Sequence, residues 1–211
     1  MITNILIAVI AYLLGSIPFA FLLVKMTTGK NISTIGSGNV GAMNTYDTTK
    51  SKSLGIVVLL LDALKGAAAV YIAYLIKPEV ISIALASVCS VLGHNFSAFL
   101  KLKGGRGLAT GAGVFAIVNP IVIVIWGLMF LAGWFIVKKN VHVANVTATV
   151  CTPLMIFYTP PEILAKTSWL MDVPATSLLI FGSILCFIIL VKHVQPLIDL
   201  YKNTGIDTRQ K

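Results

Sequence analysis

Long runs of apolar residues alternate with short polar segments along the whole chain. The first run, a 20-residue stretch over 5–24, has the length that an α-helix needs to cross the hydrocarbon core of a bilayer. Five more runs follow, at 55–76, 80–100, 108–137, 143–158 and 175–191. Most of them lack the alternation of β-strands and are long enough for helices, so the pattern predicts an all-α membrane protein.

The run over 108–137 is too long for a single crossing. As one helix its 30 residues would extend about 45 Å, whereas the hydrocarbon core is about 30 Å thick. The Asn119-Pro120 pair inside it favours a helix end at that point. We therefore predict helices at 108–118 and 120–137, and a bundle of seven membrane helices in a single domain over 1–211. The 11-residue helix must tilt or stop inside the protein.

Composition supports this prediction and excludes other classes of protein. Hydrophobic residues make up 57% of the chain and charged residues 11%, whereas ordinary globular chains have roughly 45–50% and about 25%. The mean hydropathy is +0.94. A soluble fold could not cover its surface with so few charges, and a disordered chain would be far less apolar.

The net charge of +9 indicates a topology. In a soluble protein it would suggest nucleic acid, but lysine and arginine in a membrane protein set orientation and contact anionic lipid. We therefore predict the lipid bilayer, and no nucleic acid, as a partner. With the N-terminus outside and the C-terminus inside, 13 of the 16 basic residues fall in inner loops, and only Lys77 and Lys166 fall in outer loops. The sequence does not indicate an oligomeric state.

The cysteines and the absence of known catalytic motifs predict neither a metal nor a cofactor. Cys89, Cys151 and Cys186 lie in apolar segments, away from any His and Asp cluster with metal-ligand spacing. There is no nucleophile elbow, no zinc-protease motif and no pair of loop carboxylates. Any chemistry must therefore depend on positioning and on stabilisation of charge.

A first glycine-rich loop, over 36–44, predicts an anion site. It contains three glycines and three polar side chains, namely Gly36, Gly38, Gly41, Ser37, Asn39 and Asn44. Glycine lets backbone N–H groups converge on an anion, and the side chains add donors. The match to G-x-G-x-x-G does not indicate dinucleotide binding, because a membrane helix precedes the loop where that motif needs a strand. A loop that uses glycine only for turns is the alternative.

A second loop, over 101–111, combines cations with glycines before a helix. It contains Lys101, Lys103, Arg106, Gly104, Gly105, Gly107, Thr110 and Gly111. Helix N-termini favour anions, and arginine can bind a phosphate bidentately. The spacing is not that of a P-loop, and an ordinary positive inner loop is the alternative. Together the two loops predict a cytoplasmic site for one or two phosphates, with their backbones close together.

Ionisable residues inside or next to the apolar runs are further candidates. Asp62 and Lys65 are spaced i, i+3 on one helix and can pair, either to support an interior site or to hold helices together. His94, His142 and His193 each lie at the end of an apolar run. For each histidine, a hydrogen-bonded packing role is the alternative to a role in the site.

In several strings the chain resembles the bacterial membrane glycerol-3-phosphate acyltransferases that use acyl phosphate. These strings are Tyr12-Leu-Leu-Gly-Ser-Ile-Pro18, the loop over 36–44, Asp62-Ala-Leu-Lys65-Gly66, Leu92-Gly-His94 and Lys103-Gly-Gly-Arg-Gly-Leu-Ala-Thr110. The resemblance implies seven helices in the bacterial inner membrane, with the site facing the cytoplasm. It implies acyl transfer to the 1-hydroxyl of glycerol 3-phosphate, giving lysophosphatidic acid and phosphate, without coenzyme A, acyl carrier protein or metal.

The resemblance also implies roles for particular residues. It places four residues at the reaction, namely Ser37, Asn39, Arg106 and His193. It implies phosphate binding by Gly36, Gly38, Gly41, Asn44, Lys103, Gly104, Gly105, Gly107 and Thr110. A supporting role falls to Asp62, Lys65 and His94.

The chain departs from the family pattern at several positions. Met43 stands where threonine is usual, Asp47 and Thr48 stand where an arginine is expected, and Pro196 replaces an asparagine. Lys50 or Lys52 is the nearest cation that could replace the arginine, and His142 and Asn145 stand near the position of a family serine. These changes leave a second hypothesis open, a relative that uses another acceptor or binds phosphorylated lipid. A small anion transporter, suggested by the Asp62–Lys65 pair, is a third.

Overall fold

The regular structure of this chain is helical. The computed structural model describes residues 1–136 and 140–203, and within them there is no β-strand. The α-helices are α1 (Ile2–Ser16), α2 (Phe19–Thr28), α3 (Ala42–Thr49), α4 (Lys52–Ile76), α5 (Val80–Asn95), α6 (Leu108–Val118), α7 (Ile121–Ile136), α8 (Val141–Tyr158), α9 (Pro161–Lys166), α10 (Ala175–Val191) and α11 (Val194–Asn203). Short 3₁₀ helices span Ile32–Thr34 and Ala98–Leu100. The all-α prediction is confirmed.

Within residues 1–136 and 140–203, four segments are long and apolar enough to cross a membrane on their own. They are Ile2–Thr28, Lys52–Ile76, Val80–Leu100 and Val141–Tyr158, and Ala175–Val191 with Val194–Lys202 adds a fifth as a bent pair. The helices α6 and α7 are apolar but shorter. Of the basic residues used to predict topology, Lys138, Lys139, Arg209 and Lys211 lie outside the described residues.

Two breaks in the helices follow from proline. We had predicted one continuous helix for the first span. Instead, α1 ends at Ser16 and α2 begins at Phe19, after Pro18. The predicted break at Asn119-Pro120 is confirmed. The Asn119 side chain donates to the carbonyl of Leu164, 2.8 Å away, and accepts from the Thr167 hydroxyl, 2.9 Å away. These bonds satisfy polar groups at the break and hold it against α9.

Three helices lie in segments that the apolar pattern left as loops or a tail. They are α3, α9 and α11. The first two have eight and six residues, too few to produce an apolar run. The third is strongly amphipathic, with polar and apolar residues on opposite faces. A search for continuous hydrophobic runs therefore misses all three, although α11 becomes a wall of the site described below.

Small residues allow the closest helix contacts. A side chain at Gly15 or Gly93 would overlap the facing helix where α1 meets α5, and one at Gly66 or Gly113 would do so where α4 meets α6. Such small-residue contacts are typical of membrane helices, whose association depends on close backbone approach. Many large apolar side chains stay exposed on the outside, including Leu60, Phe135 and Phe187. The bundle therefore presents an apolar outer surface.

Candidate functional site

Asn44 holds the first glycine loop together from the inside. Its side chain is 2% exposed and its Nδ2 donates to the carbonyls of Ile32, Ile35 and Asn39, at 3.3, 3.1 and 2.9 Å. Its Oδ1 accepts from the N–H of Ser37 at 3.0 Å. The whole amide is used within residues 32–44. Asn44 therefore organises the loop and has no free group for the phosphate contact that the resemblance implied.

The remaining residues of this loop present their polar groups outward. Gly36 has a φ of +59°, and a Cβ there would overlap Asn44 Oδ1, so the turn requires glycine. Ser37 and Gly38 border a polar cavity, and Asn39 borders that cavity and a neighbouring apolar one. Of the predicted residues in this loop, Ser37, Gly38, Asn39 and Gly41 thus border a cavity, and Ser37 and Asn39 bring polar side chains.

The second glycine loop is held by other parts of the fold. The N–H of Gly105 donates to the carbonyl of His94 at 3.0 Å. A Cβ on Gly105 would overlap His94 Nε2 and would lie 2.8 Å from the carbonyl oxygen of Val40. Val40 belongs to the first loop, so the predicted close approach of the two loop backbones is confirmed.

The predicted residues of this second loop fall into three groups by position. Gly107 has a φ of +83°, forms the start of α6 and borders the apolar cavity together with Arg106. Gly104 and Gly105 border only a small void beside Asp62. Lys103 is exposed and lines no cavity described here, and Thr110 is fully buried against α4. The predicted phosphate contacts of Lys103 and Thr110 therefore do not agree with where these side chains lie.

Asp62, Lys65 and His94 form a buried charged cluster next to the glycine loops. Lys65 Nζ lies 2.9 Å from Asp62 Oδ1 and donates to the carbonyl of Ile17 at 2.8 Å. His94 Nδ1 lies 3.6 Å from the same carboxylate oxygen. Asp62 is 2% exposed and Lys65 is 5% exposed. The cluster ties α4 to the break between α1 and α2 and to the end of α5, which fits the predicted supporting role.

An apolar cavity of about 430 Å³ lies between α4, α6, α7, α8 and α10. Its walls are mainly large apolar side chains, among them Leu59, Phe115, Val122, Trp126, Phe130 and Ile189. We call it the tail cavity. Its polar lining includes Asn39, Arg106 and His142. An apolar chain could lie along these walls, with its polar end near Asn39, Arg106 and His142.

A second cavity, of about 420 Å³, lies next to it and is more polar. We call it the polar cavity. Its lining residues come from the first loop, the end of α10 and the amphipathic α11, and include Ser37, Gly38, Lys192, Gln195 and Asp199. Lys192 and Arg106 provide its positive charge. Such a cavity fits a small anionic molecule with hydroxyl groups.

Asn39, Arg106 and His142 border both cavities. Arg106 Nη1 lies 3.4 Å from His142 Nδ1, which links the second loop to the start of α8. Burial lowers the pKa of the Arg106 guanidinium from its ordinary value, yet arginine keeps its charge in proteins. A phosphoryl or acyl group at this junction would therefore face a fixed positive charge and two further polar side chains.

His193 does not reach either cavity. It is 1% exposed, and its Nδ1 lies 2.9 Å from the carbonyl of Ile189. Burial and the nearby Arg106 charge lower its pKa, and the hydrogen bond to the Ile189 carbonyl partly offsets this effect. Its Nε2 is buried and has no hydrogen-bond partner in the described part of the chain. His193, which was predicted to be catalytic, is thus buried and lines neither cavity.

The site also uses residues that sequence reasoning did not select. Lys192 lines the polar cavity with its ammonium 4.3 Å from the centre of the Phe96 ring, and burial lowers its pKa. Gln195 and Asp199 reach the same cavity from α11 and bond to each other at 2.8 Å. The amphipathic period of the tail was the signal that could have revealed these residues.

The departures from the family pattern fall in different places. Met43 lines the tail cavity and Pro196 lines the polar cavity. Lys50 and Lys52, which could have replaced the missing arginine, are exposed and line no cavity described here. Lys192 provides a cation in the polar cavity.

This helical bundle has an apolar cavity next to a polar one, and an arginine, a lysine and glycine loops line them. These are features of a lipid-modifying enzyme with phosphorylated substrates. The family model for glycerol-3-phosphate acyltransferase matches residues 5–203. The chain belongs to this family.

Individual relatives carry the same description. A glycerol-3-phosphate acyltransferase of Wolinella succinogenes is 32% identical over 211 residues, covering 94% of this chain and 93% of that protein. Glycerol-3-phosphate acyltransferase 2 of Moorella thermoacetica is 37% identical over 150 residues, covering 71% and 76%. The relatives match almost the full chain or its larger part.

Solved structures are similar as well. The crystal structure of PlsY (YgiH), an integral membrane glycerol 3-phosphate acyltransferase, in its glycerol 3-phosphate form superposes with a TM-score of 0.77 at 30% identity. It covers 95% of this chain and 92% of that one. The lysophosphatidic acid form gives a TM-score of 0.75 over the same shares. The predicted family and integral membrane character are therefore confirmed.

Proposed function

We propose that this protein transfers a fatty acyl group from acyl phosphate to the 1-hydroxyl of glycerol 3-phosphate. The products are lysophosphatidic acid, which stays in the membrane, and inorganic phosphate. The observation that carries this assignment is the junction of the two cavities at Arg106. One cavity fits an acyl chain and the other fits a small phosphorylated alcohol, so their reacting groups would meet beside one cation.

The reaction balances without an obvious protein base. The hydroxyl oxygen forms a bond to the acyl carbon, the bond from that carbon to the phosphate oxygen breaks, and the hydroxyl proton passes to a phosphate oxygen. Because phosphate is already a good leaving group, the site has mainly to position the substrates and to stabilise negative charge. Arg106, Asn39 and the N–H groups of the glycine loops would do this, with Ser37 at the acceptor side. We expect no metal or cofactor.

We propose further that seven helices cross the bacterial inner membrane, with the N-terminus outside and the site facing the cytoplasm. Support comes from the excess of lysine and arginine in one set of loops. In this arrangement α6 and α7 cross as short helices covered by longer neighbours. Reporter fusions to the C-terminus test the orientation. Green fluorescent protein should fluoresce there and alkaline phosphatase should be inactive, and the opposite pair of results would reverse the topology.

Purified protein in detergent tests the activity. With palmitoyl phosphate and labelled glycerol 3-phosphate it should form labelled lysophosphatidate and one equivalent of phosphate. Parallel reactions with palmitoyl coenzyme A should give no product. Product from the coenzyme A ester alone, by protein that unfolds cooperatively on heating, would contradict the proposed donor.

A different acceptor is the second candidate function. The polar cavity contains the carboxylate of Asp199 beside Lys192 and Arg106, and Pro196 lines it as well. A carboxylate disfavours a bound phosphate and favours hydroxyl groups. Competition between glycerol 3-phosphate and unphosphorylated glycerol distinguishes the two candidates. We expect at least a tenfold preference for glycerol 3-phosphate, and equal use would favour the second candidate.

A further inference from the structure

His142 stands where the two cavities meet and comes from neither glycine loop. It lies in the first turn of α8, and the Asn140 side chain caps this helix by accepting from the N–H groups of His142 and Val143, at 2.9 and 3.2 Å. The cap places the imidazole on a defined backbone. The ring borders both the tail cavity and the polar cavity.

The contact with Arg106 decides which ring nitrogen of His142 carries a proton. A guanidinium has only N–H donors, so the His142 Nδ1 that lies 3.4 Å from Arg106 Nη1 must act as an acceptor. The proton of the neutral ring is then on Nε2. Within residues 1–136 and 140–203, Nε2 of His142 makes no hydrogen bond. The ring thus has one unused donor.

This donor is matched to an anion at the cavity junction. Arg106 provides charge and Asn39 provides an amide, and both border the same two cavities. A base is not available from His142, because Nδ1 is engaged by Arg106 and Nε2 already has its proton. A phosphoryl oxygen is the acceptor that such a set of donors favours.

We propose that His142 is a substrate-contacting residue whose Nε2–H donates to the phosphoryl group of the acyl donor, while Nδ1 accepts from Arg106. The inference rests on the proposed function, because that function places the phosphoryl group of the donor at the cavity junction. His142 would therefore act on acyl phosphate more than on glycerol 3-phosphate.

Three substitutions of His142 test the roles of Nδ1 and Nε2 separately. Glutamine can place an N–H near the position of Nε2 but offers no acceptor near Nδ1, so His142→Gln tests the substrate contact. Asparagine keeps an acceptor near Nδ1 and has no group that reaches Nε2, so His142→Asn tests the Arg106 contact. His142→Leu removes both.

We expect His142→Gln to stay within about fivefold of the unmodified protein in kcat/KM for palmitoyl phosphate. His142→Asn and His142→Leu should each lose about 30-fold, the size expected for a lost hydrogen bond to a charged group. KM for palmitoyl phosphate should rise more than KM for glycerol 3-phosphate. The proposal is overturned if asparagine preserves activity and glutamine does not, or if all three variants fall equally with lower melting temperatures.

A binding experiment separates this inference from the proposed function. Dodecyl phosphate has a tail and a phosphoryl group but cannot transfer an acyl chain. Its affinity, followed by calorimetry in detergent, should fall about tenfold or more in His142→Asn and much less in His142→Gln. Should the protein make no lysophosphatidate while this order of affinities holds, the function fails and the contact stands. Absence of dodecyl phosphate binding by the unmodified protein contradicts the contact.

Discussion

The two glycine loops reach the same site by different means. The loop over 36–44 is held by one of its own residues, since Asn44 makes four hydrogen bonds within residues 32–44. The loop over 101–107 is held from outside, by the end of α5 and by Val40. The first loop is thus held mainly by its own residues, whereas the second also depends on contact with Val40, which is distant along the chain.

The two loops also contribute different groups to the cavities. The locally held loop contributes mainly backbone groups and the short side chains of Ser37 and Asn39 to the cavities. The externally held loop contributes Arg106, a long cation that borders both cavities and whose position depends on how α5, α6 and α8 pack. Substitutions in the first loop should therefore act through its shape, whereas substitutions in the second should act through docking or through charge.

The largest effect is expected from Asn44→Ala. It removes the four hydrogen bonds that the Asn44 side chain makes within residues 32–44, which should destabilise the loop by roughly 3 kcal/mol and reduce kcat/KM on the order of 1000-fold. Thermal unfolding in detergent and the acyltransferase assay measure both effects. The matched control is Asn31→Ala, because Asn31 caps a short 3₁₀ helix through an exposed hydrogen bond from the N–H of Ser33. Equal losses in both variants would contradict the role of Asn44 as the centre of the loop.

The next largest effect is expected from Gly105→Ala. The added methyl group would overlap His94 and press on the carbonyl of Val40, so the two loops must separate. We expect about a 100-fold loss of kcat/KM and a lower melting temperature. In Gly127→Ala the new methyl group has no neighbour within 4 Å, and it should leave activity unchanged and stabilise α7 by about 0.5–1 kcal/mol. Full activity of Gly105→Ala would show that contact between the loops is unnecessary.

A smaller effect is expected from Arg106→Ala, which removes charge without moving a loop. Loss of charge-assisted hydrogen bonds should lower kcat/KM about 50-fold, with little change in melting temperature. Arg106→Lys should recover part of this loss because it keeps the charge. Lys103→Ala and Lys30→Ala should change kcat/KM less than about threefold, because both side chains are exposed and line no cavity described here. Equal effects at Arg106 and Lys103 would invalidate this assignment.

The smallest effect is expected from the titration of His193. Its pKa in the folded protein is lowered from the ordinary 6.5 by burial, so the neutral ring favours the folded state. As the pH falls below about 6.5, the unfolded chain takes up a proton that the folded protein does not, and stability decreases. The melting temperature should therefore fall between pH 7 and pH 5 more steeply than in His193→Gln. Parallel curves for the two proteins would indicate that His193 is not buried in its neutral form.

Much of the helical frame could be predicted from sequence, because apolar length is a local property. The break at Asn119-Pro120 follows from proline, and the two tight loops follow from their glycines. The structure has the break and both loops, and their binding of anions stays a prediction. The predicted roles of Asn44 and Thr110 did not agree with their positions, since a polar residue in a loop motif can face its own backbone or a neighbouring helix. Spacing along the chain does not distinguish these directions.

By itself the sequence determined a helical membrane protein of the glycerol-3-phosphate acyltransferase family, with two glycine loops and a small number of cations. Only the tertiary structure decided that His142 and Lys192 border the cavities while His193 lies behind their wall. The reason is physical. Helix formation depends on neighbours within a few residues, whereas cavity lining depends on how helices from distant parts of the chain pack and rotate. The same packing places the amphipathic α11, which the sequence pattern left as a tail, along the polar cavity.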